Sequence, residues 1–146
     1  MSSWKQQALI ESPVDSVWAL ISDPGRYPEW AEEVIDVTGA PTEIAEGSTY
    51  TQRSHGPFGV PVTTTFEVEK LDDLHEIKLR CQSSGYYSHW ILTEARGQTF
   101  ADIEIGIEPT GLVGHATSLI TTKRQIREAA EQSLDGLRRA LGPQAG

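Results

Sequence analysis

The chain has one cysteine, Cys81, in 146 residues, which excludes an internal disulfide and a multi-cysteine zinc site. Positive charge is scarce. Twelve Lys and Arg stand against 21 Asp and Glu, for a net charge of −9, so the phosphate-tracking surface that nonspecific nucleic-acid binding needs is not expected. Long apolar runs are missing too. The longest, Val17-Trp18-Ala19-Leu20-Ile21, falls far short of the roughly 20 residues that span a bilayer, so no stable membrane insertion is expected. Lys5, Gln6 and Gln7 interrupt any apolar segment near the start, which argues against a signal peptide. No nucleophile elbow, Walker loop, dinucleotide fingerprint or His-Glu-x-x-His occurs. The four histidines, His55, His75, His89 and His115, are far apart in sequence, and neither a metal site nor a cofactor is expected. What remains is one cytoplasmic domain over residues 1–146, with 38% hydrophobic residues for a single core and a small molecule as partner.

Residues 4–11 read as a first strand. Ser12-Pro13-Val14-Asp15 then starts a helix, with Ser12 expected to accept from the Asp15 amide and Pro13 where its missing N–H costs nothing. Val14, Val17, Trp18 and Ile21 give that helix one apolar face, and Asp23-Pro24-Gly25 ends it. A second short helix is expected through Tyr27, Trp30 and Ala31. From Val34 the period becomes two, and strands are predicted over 34–37, 48–55, 62–70, 76–82, 86–94 and 100–108. In the clearest, Val62, Thr64, Phe66 and Val68 alternate with Thr63, Thr65, Glu67 and Glu69. Such alternation over many strands indicates an antiparallel sheet with one buried face. Leu112, Leu119, Ile126, Ala130, Leu134, Leu137 and Leu141 then share one sector at about 100° per residue, which predicts a helix from about 116 to 141. A curved seven-stranded antiparallel sheet wrapped around that helix, an α+β fold, covers the sheet's apolar face.

If successive strands pair, the connections 55–61, 83–86 and 109–115 gather at one end of the sheet. They carry Gly56, Gly59, Gly85, Gly111 and Gly114 with Phe58, Val60, Tyr86, Leu112 and Val113 among them. Apolar side chains on glycine-rich connections point to a mouth over a cavity. His55, Phe58, Val60, Tyr86 and Leu112 are its expected rim. The alternative is that they cap the end of the core.

The Ser12-Pro13-Val14-Asp15-Ser16-Val17-Trp18 start, the Asp23-Pro24-Gly25-Arg26-Tyr27-Pro28-Glu29-Trp30 segment, the Gly47-Ser48-Thr49-Tyr50 strand start and the Gly97-Gln98-Thr99 turn together resemble the START-like (SRPBCC) polyketide cyclase/dehydrase superfamily. The resemblance covers nearly the whole chain. It implies the helix-grip fold and a cavity between sheet and long helix that holds lipids, sterols or polyketides, with catalysis in only some members. It also implies a gate at the loop 55–61 with 83–86 as its partner.

Phe66, Val68, Leu79, Ile103, Ile105 and Ile126 are the expected pocket wall, with Cys81, Trp90 and Leu119 beside them. Trp30 is either core or ligand wall. Tyr50, Gln52 and Ser88 are expected to fix a ligand's polar end. The phase of 86–94 stays open, because Tyr87, His89 and Ile91 form an inner face as plausible as Ser88, Trp90 and Leu92. Lys123 falls in the helix's apolar sector and either reaches out to the rim or meets a ligand carboxylate or phenolate. Arg53 lands on the outer face, so an inward arginine of the kind the family's aromatase/cyclases use is not in evidence. Three functions follow. The leading one is binding of a hydrophobic small molecule. The second is a cyclase/dehydratase-type enzyme using Tyr50, Ser88 or His89 to move protons. The third is an interaction protein with a filled cavity, its apolar rim buried in a homodimer.

Overall fold

The computed structural model describes residues 3–56 and 59–142. Strand β1 (Ser3–Ile10) leads into α1 (Val14–Ile21), a 3-10 turn (Pro24–Arg26) and α2 (Tyr27–Trp30). Six strands follow: β2 (Val34–Thr38), β3 (Thr49–His55), β4 (Pro61–Asp72), β5 (Glu76–Cys81), β6 (Tyr86–Ala95) and β7 (Gln98–Ile107). Two helices, α3 (Gly111–Ile120) and α4 (Lys123–Leu141), complete the chain. The strands form one antiparallel sheet in the order β1-β7-β6-β5-β4-β3-β2. This is the helix-grip arrangement, with two short helices between the first two strands and a long terminal helix against the curved sheet.

Alternation puts Ile77, Leu79 and Cys81 of β5 into the core and leaves Lys78 and Arg80 on the other face. The open phase of β6 is decided by its neighbours. Trp90 pairs with Ile77 on one side and Ile103 on the other, and both are buried. Residues directly opposite in an antiparallel pair share a face, so Ser88, Trp90 and Leu92 point inward. Tyr87 is buried as well, but on the outer face. It pairs with Gly106, where a Cβ would come within 2.7 Å of the Tyr87 hydroxyl, and Lys78 Nζ lies 4.8 Å from its ring centre.

Helix α4 lays Ile126, Ala130, Leu134 and Leu137 on the sheet, and each fully buried Leu or Ile contributes about 1.5–3 kcal/mol. Arg138 and Arg139 occupy its last turn, where they complement the negative end of the helix dipole.

Two local expectations are corrected. Ser12 does not cap α1. Pro13 takes the N-cap position without a side-chain hydrogen bond, and the Ser12 carbonyl instead accepts from Thr99 Oγ1 at 2.8 Å. The free Val14 N–H donates to Glu94 Oε2 at 3.2 Å, so the cap comes from β6, eighty residues away. The terminal helix is also interrupted. Thr121 and Thr122 are extended, and Thr122 begins α4 with a capping box: its hydroxyl accepts from Gln125 N at 3.1 Å while Gln125 Oε1 accepts from Thr122 N at 2.8 Å. The break carries α3 off the sheet. Leu112 is 89% exposed and Leu119 87%, with Val113 and Ile120 exposed beside them. Only Gly114 of α3 is buried, close against the Ser84 carbonyl and Pro109.

Candidate functional site

Between the inner face of the sheet and the helices lies a cavity of about 60 Å³. The sheet supplies Tyr50 and Gln52 from β3, Phe66 from β4, Leu79 from β5, Tyr86, Ser88 and Trp90 from β6, and Ile105 from β7. Register explains their convergence. Tyr50 stands opposite Phe66, while Leu79, Ser88 and Ile105 form one row across three strands. The opposite wall is Ile21, Tyr27, Trp30, Ala31, Glu33 and Val34, with Ser133 from α4.

Five rings form a continuous wall. Phe66 stacks on Tyr50 at 5.7 Å, Tyr50 meets Tyr27 edge-on at 6.1 Å, Tyr27 meets Trp30 at 5.5 Å, and Trp30 meets Trp90 at 6.1 Å. Pairs of this geometry are each worth about 0.5–1.5 kcal/mol beyond their burial. Two are also tied to the backbone: Tyr27 Oη donates to the Ile21 carbonyl at 2.7 Å and Trp30 Nε1 to the Leu20 carbonyl at 3.2 Å. Those bonds hold α2 against α1 and fix the rigid side of the cavity.

The polar groups are disposed differently. Gln52 Nε2 donates to Ser54 Oγ at 2.9 Å and Ser133 Oγ to the Ala129 carbonyl at 2.9 Å. Burial pushes the Tyr27 and Tyr50 phenols above their ordinary range, although the neighbouring Tyr27 hydroxyl pulls the Tyr50 value the other way. Both are neutral donors at physiological pH. At the mouth, burial and the nearby Glu33 carboxylate push the Tyr86 phenol upward. Glu33 itself is reached by solvent but ringed by protein, and the resulting desolvation raises its carboxyl, with Glu32 adding to the effect. Its carbonyl accepts from His55 N at 2.8 Å, which ties the mouth to the end of β3. Glu33 and Tyr86 line the cavity on the side nearest the end of β3, and Glu33 is exposed there.

Of the residues singled out from sequence, Trp30, Tyr50, Gln52, Phe66, Leu79, Ser88, Trp90, Ile105 and Tyr86 line the cavity. Val68, Cys81, Ile103 and Ile126 lie in the surrounding core. The break before α4 moves two others away: Leu119 is on exposed α3, and Lys123 is exposed at the first position of α4. The Lys123 ammonium therefore does not face the pocket. Leu112 also projects into solvent, His55 and Val60 are exposed at the rim, and Phe58 lies outside the described residues. His89 is on the outer face, where its Nε2 is hydrogen-bonded to Glu76 Oε2 at 2.5 Å, and it shares no space with Tyr50 or Ser88. His75 Nδ1 bonds the Leu92 carbonyl at 2.9 Å near the other end of the sheet. Arg53 pairs with Asp36 on the outer surface.

Sequence reasoning missed Ile21, Tyr27, Ala31, Glu33, Val34 and Ser133 as cavity residues. Ser133 carried a legible signal, a small polar residue beside Leu134 and Leu137 on the buried side of α4. Glu33 carried none, because its place depends on how β2 meets β3.

A family model described as polyketide cyclase/dehydrase and lipid transport matches residues 1–142. No curated protein matches. Among solved structures, a protein from Nitrosomonas europaea is similar with a TM-score of 0.71 at 11% identity, covering 96% of this chain and 94% of its own. The di-domain ARO/CYC BexL, from a biosynthetic pathway, reaches a TM-score of 0.74 at 14% identity; 97% of this chain aligns with 46% of that one. An AHSA1-like protein from Aeromonas hydrophila gives 0.67 at 17% identity, covering 94% and 92%. At these identities the likeness is one of fold.

Proposed function

This chain belongs to the polyketide cyclase/dehydrase and lipid transport family, and on that footing we propose that it is a binding module for a hydrophobic small molecule of the polyketide, lipid or aromatic-metabolite kind. The observation that carries the reading is the composition of the cavity. An aromatic wall is joined there by Gln52, Ser88, Ser133 and Glu33, so the space combines a large apolar surface with a few polar groups, the make-up of a small-molecule pocket. Apolar burial at about 25 cal/mol per Å² supplies affinity, and the polar groups set orientation.

As it stands the space of about 60 Å³ is well below the roughly 300–1,000 Å³ of pockets that hold drug-sized ligands. Uptake therefore requires widening. The five-ring wall is cross-braced, so the yielding side is the one lined by Glu33 and Tyr86. Ring closure on a poly-β-keto chain is the second reading. It would have to run on Tyr50 and Ser88 without His89, with the neutral Tyr50 phenol as donor.

The test is native mass spectrometry of protein purified from its own host, paired with binding of Nile red, a neutral hydrophobic dye. A retained small molecule, or dye fluorescence lost in Ser88→Phe while the fold persists, supports the proposal. Neither a retained molecule nor dye binding overturns it. Turnover of a poly-β-keto substrate that Tyr50→Phe slows without changing affinity would establish the enzyme instead.

A further inference from the structure

The cavity's charge is one-sided. Among the described residues that line it, Glu33 is the only one with an ionisable acid or base other than the phenols, and none is a cation. The basic side chains of the neighbouring strands all face outward. Arg53 is paired with Asp36, and Lys78 and Arg80 lie between Glu69 and Glu108 on the outer sheet surface. His55 shares the outward phase of Arg53, with Gln52 and Ser54 turned the other way. Lys123, the cation that the helical pattern pointed toward the pocket, stands exposed on α4.

Resting on the binding reading above, we propose that Glu33 sets the specificity of this pocket. The polar end receives a hydrogen-bond donor that carries no negative charge, a phenol, alcohol or amine on an apolar body, and refuses a carboxylate or phosphate. An anion brought under α2 would lose its hydration, find no cation among the lining residues, and meet the Glu33 carboxylate at the solvent-reached edge of the cavity. A hydroxyl or ammonium meets an acceptor there. The elevated Tyr86 phenol agrees with this field, since the same carboxylate resists a second negative charge beside it.

The experiment compares para-hexylphenol, para-hexylbenzoate and para-hexylbenzylamine as competitors of Nile red at neutral pH. They share one apolar body and differ in the polar end. The phenol and the amine are expected to compete at least about tenfold better than the benzoate, a gap that one uncompensated like-charge contact near a protein surface readily produces. Glu33→Gln should narrow the gap, and Glu33→Lys should reverse it. Glu33 is solvent-reached, so both variants should remain folded, with a single cooperative melting transition. A benzoate that competes as well as the phenol, or a preference indifferent to Glu33→Lys, overturns the specificity while leaving the binding reading intact. Failure of Nile red and all three competitors overturns both.

Discussion

A Cβ added to Gly136 would stand 1.9 Å from the carbonyl oxygen of Trp30, so α4 and α2 meet backbone against backbone. That approach sets how far the long helix can settle toward the sheet, and therefore how much space remains behind Trp30. The tightness of the cavity follows in part from one missing methyl group.

Gly136→Ala should therefore be destabilising, although alanine is the better helix former by about 1 kcal/mol. Overpacking of this kind costs about 1–3 kcal/mol. The measurement is the urea midpoint, with Nile red affinity as a second readout because Trp30 lines the cavity. A midpoint that stays put or rises would mean that α4 slides freely over α2.

The interrupted terminal helix makes a paired prediction. Leu119→Gln, on exposed α3, should change stability by less than about 0.5 kcal/mol. Leu137→Ala, fully buried on α4, should cost about 2–5 kcal/mol. Equal losses would show that α3 is packed against the sheet in solution.

Thr122→Ala removes the hydroxyl that accepts from Gln125 N and should cost about 1 kcal/mol in thermal or denaturant unfolding. Serine at the same place should restore most of it. Were Thr122→Ala neutral and Thr122→Ser no different, the capping box would have no part in holding the start of α4.

Glu33 has an acid-base signature opposite to that of most carboxylates. Its folded value lies above the ordinary 4.5, so the folded chain holds this proton more tightly than the unfolded chain. Its ionised form is therefore a burden on the fold above the folded value, and the burden disappears as pH falls through that value toward 4.5. Glu33→Gln should raise Tm at neutral pH and lose that advantage near pH 4. Glu76 behaves the other way. Its hydrogen bond with His89 holds its carboxyl below the ordinary value, so its contribution is present above about pH 4.5 and fades as pH drops through the lowered value. Glu76→Gln should accordingly flatten the acid limb of the stability profile.

Much of this site is legible before any coordinates. Tyr50, Gln52, Phe66, Leu79 and Ile105 take their inward phase from plain alternation. Ser88 and Trp90 were half-legible. Their strand carries Tyr87 on the other phase, and nothing local reveals that Gly106 makes room for that ring on the outer face. Lys123 and Leu119 misled because helical periodicity continues across Thr121 and Thr122. The Thr-x-x-Gln spacing of a capping box was there to be read at the break.

The amino-acid sequence alone determined the strands, the buried faces of all but β6, the amphipathic terminal helix and the family. These depend on periods of two and 3.6 and on short motifs, which neighbouring residues suffice to set. Tertiary structure alone decided that Glu94 caps α1, that α3 leaves the sheet, and that Glu33 stands at the opening beside Tyr86. Each of those depends on groups that only strand pairing and helix docking bring within reach, where distances of a few ångströms set charge and solvation.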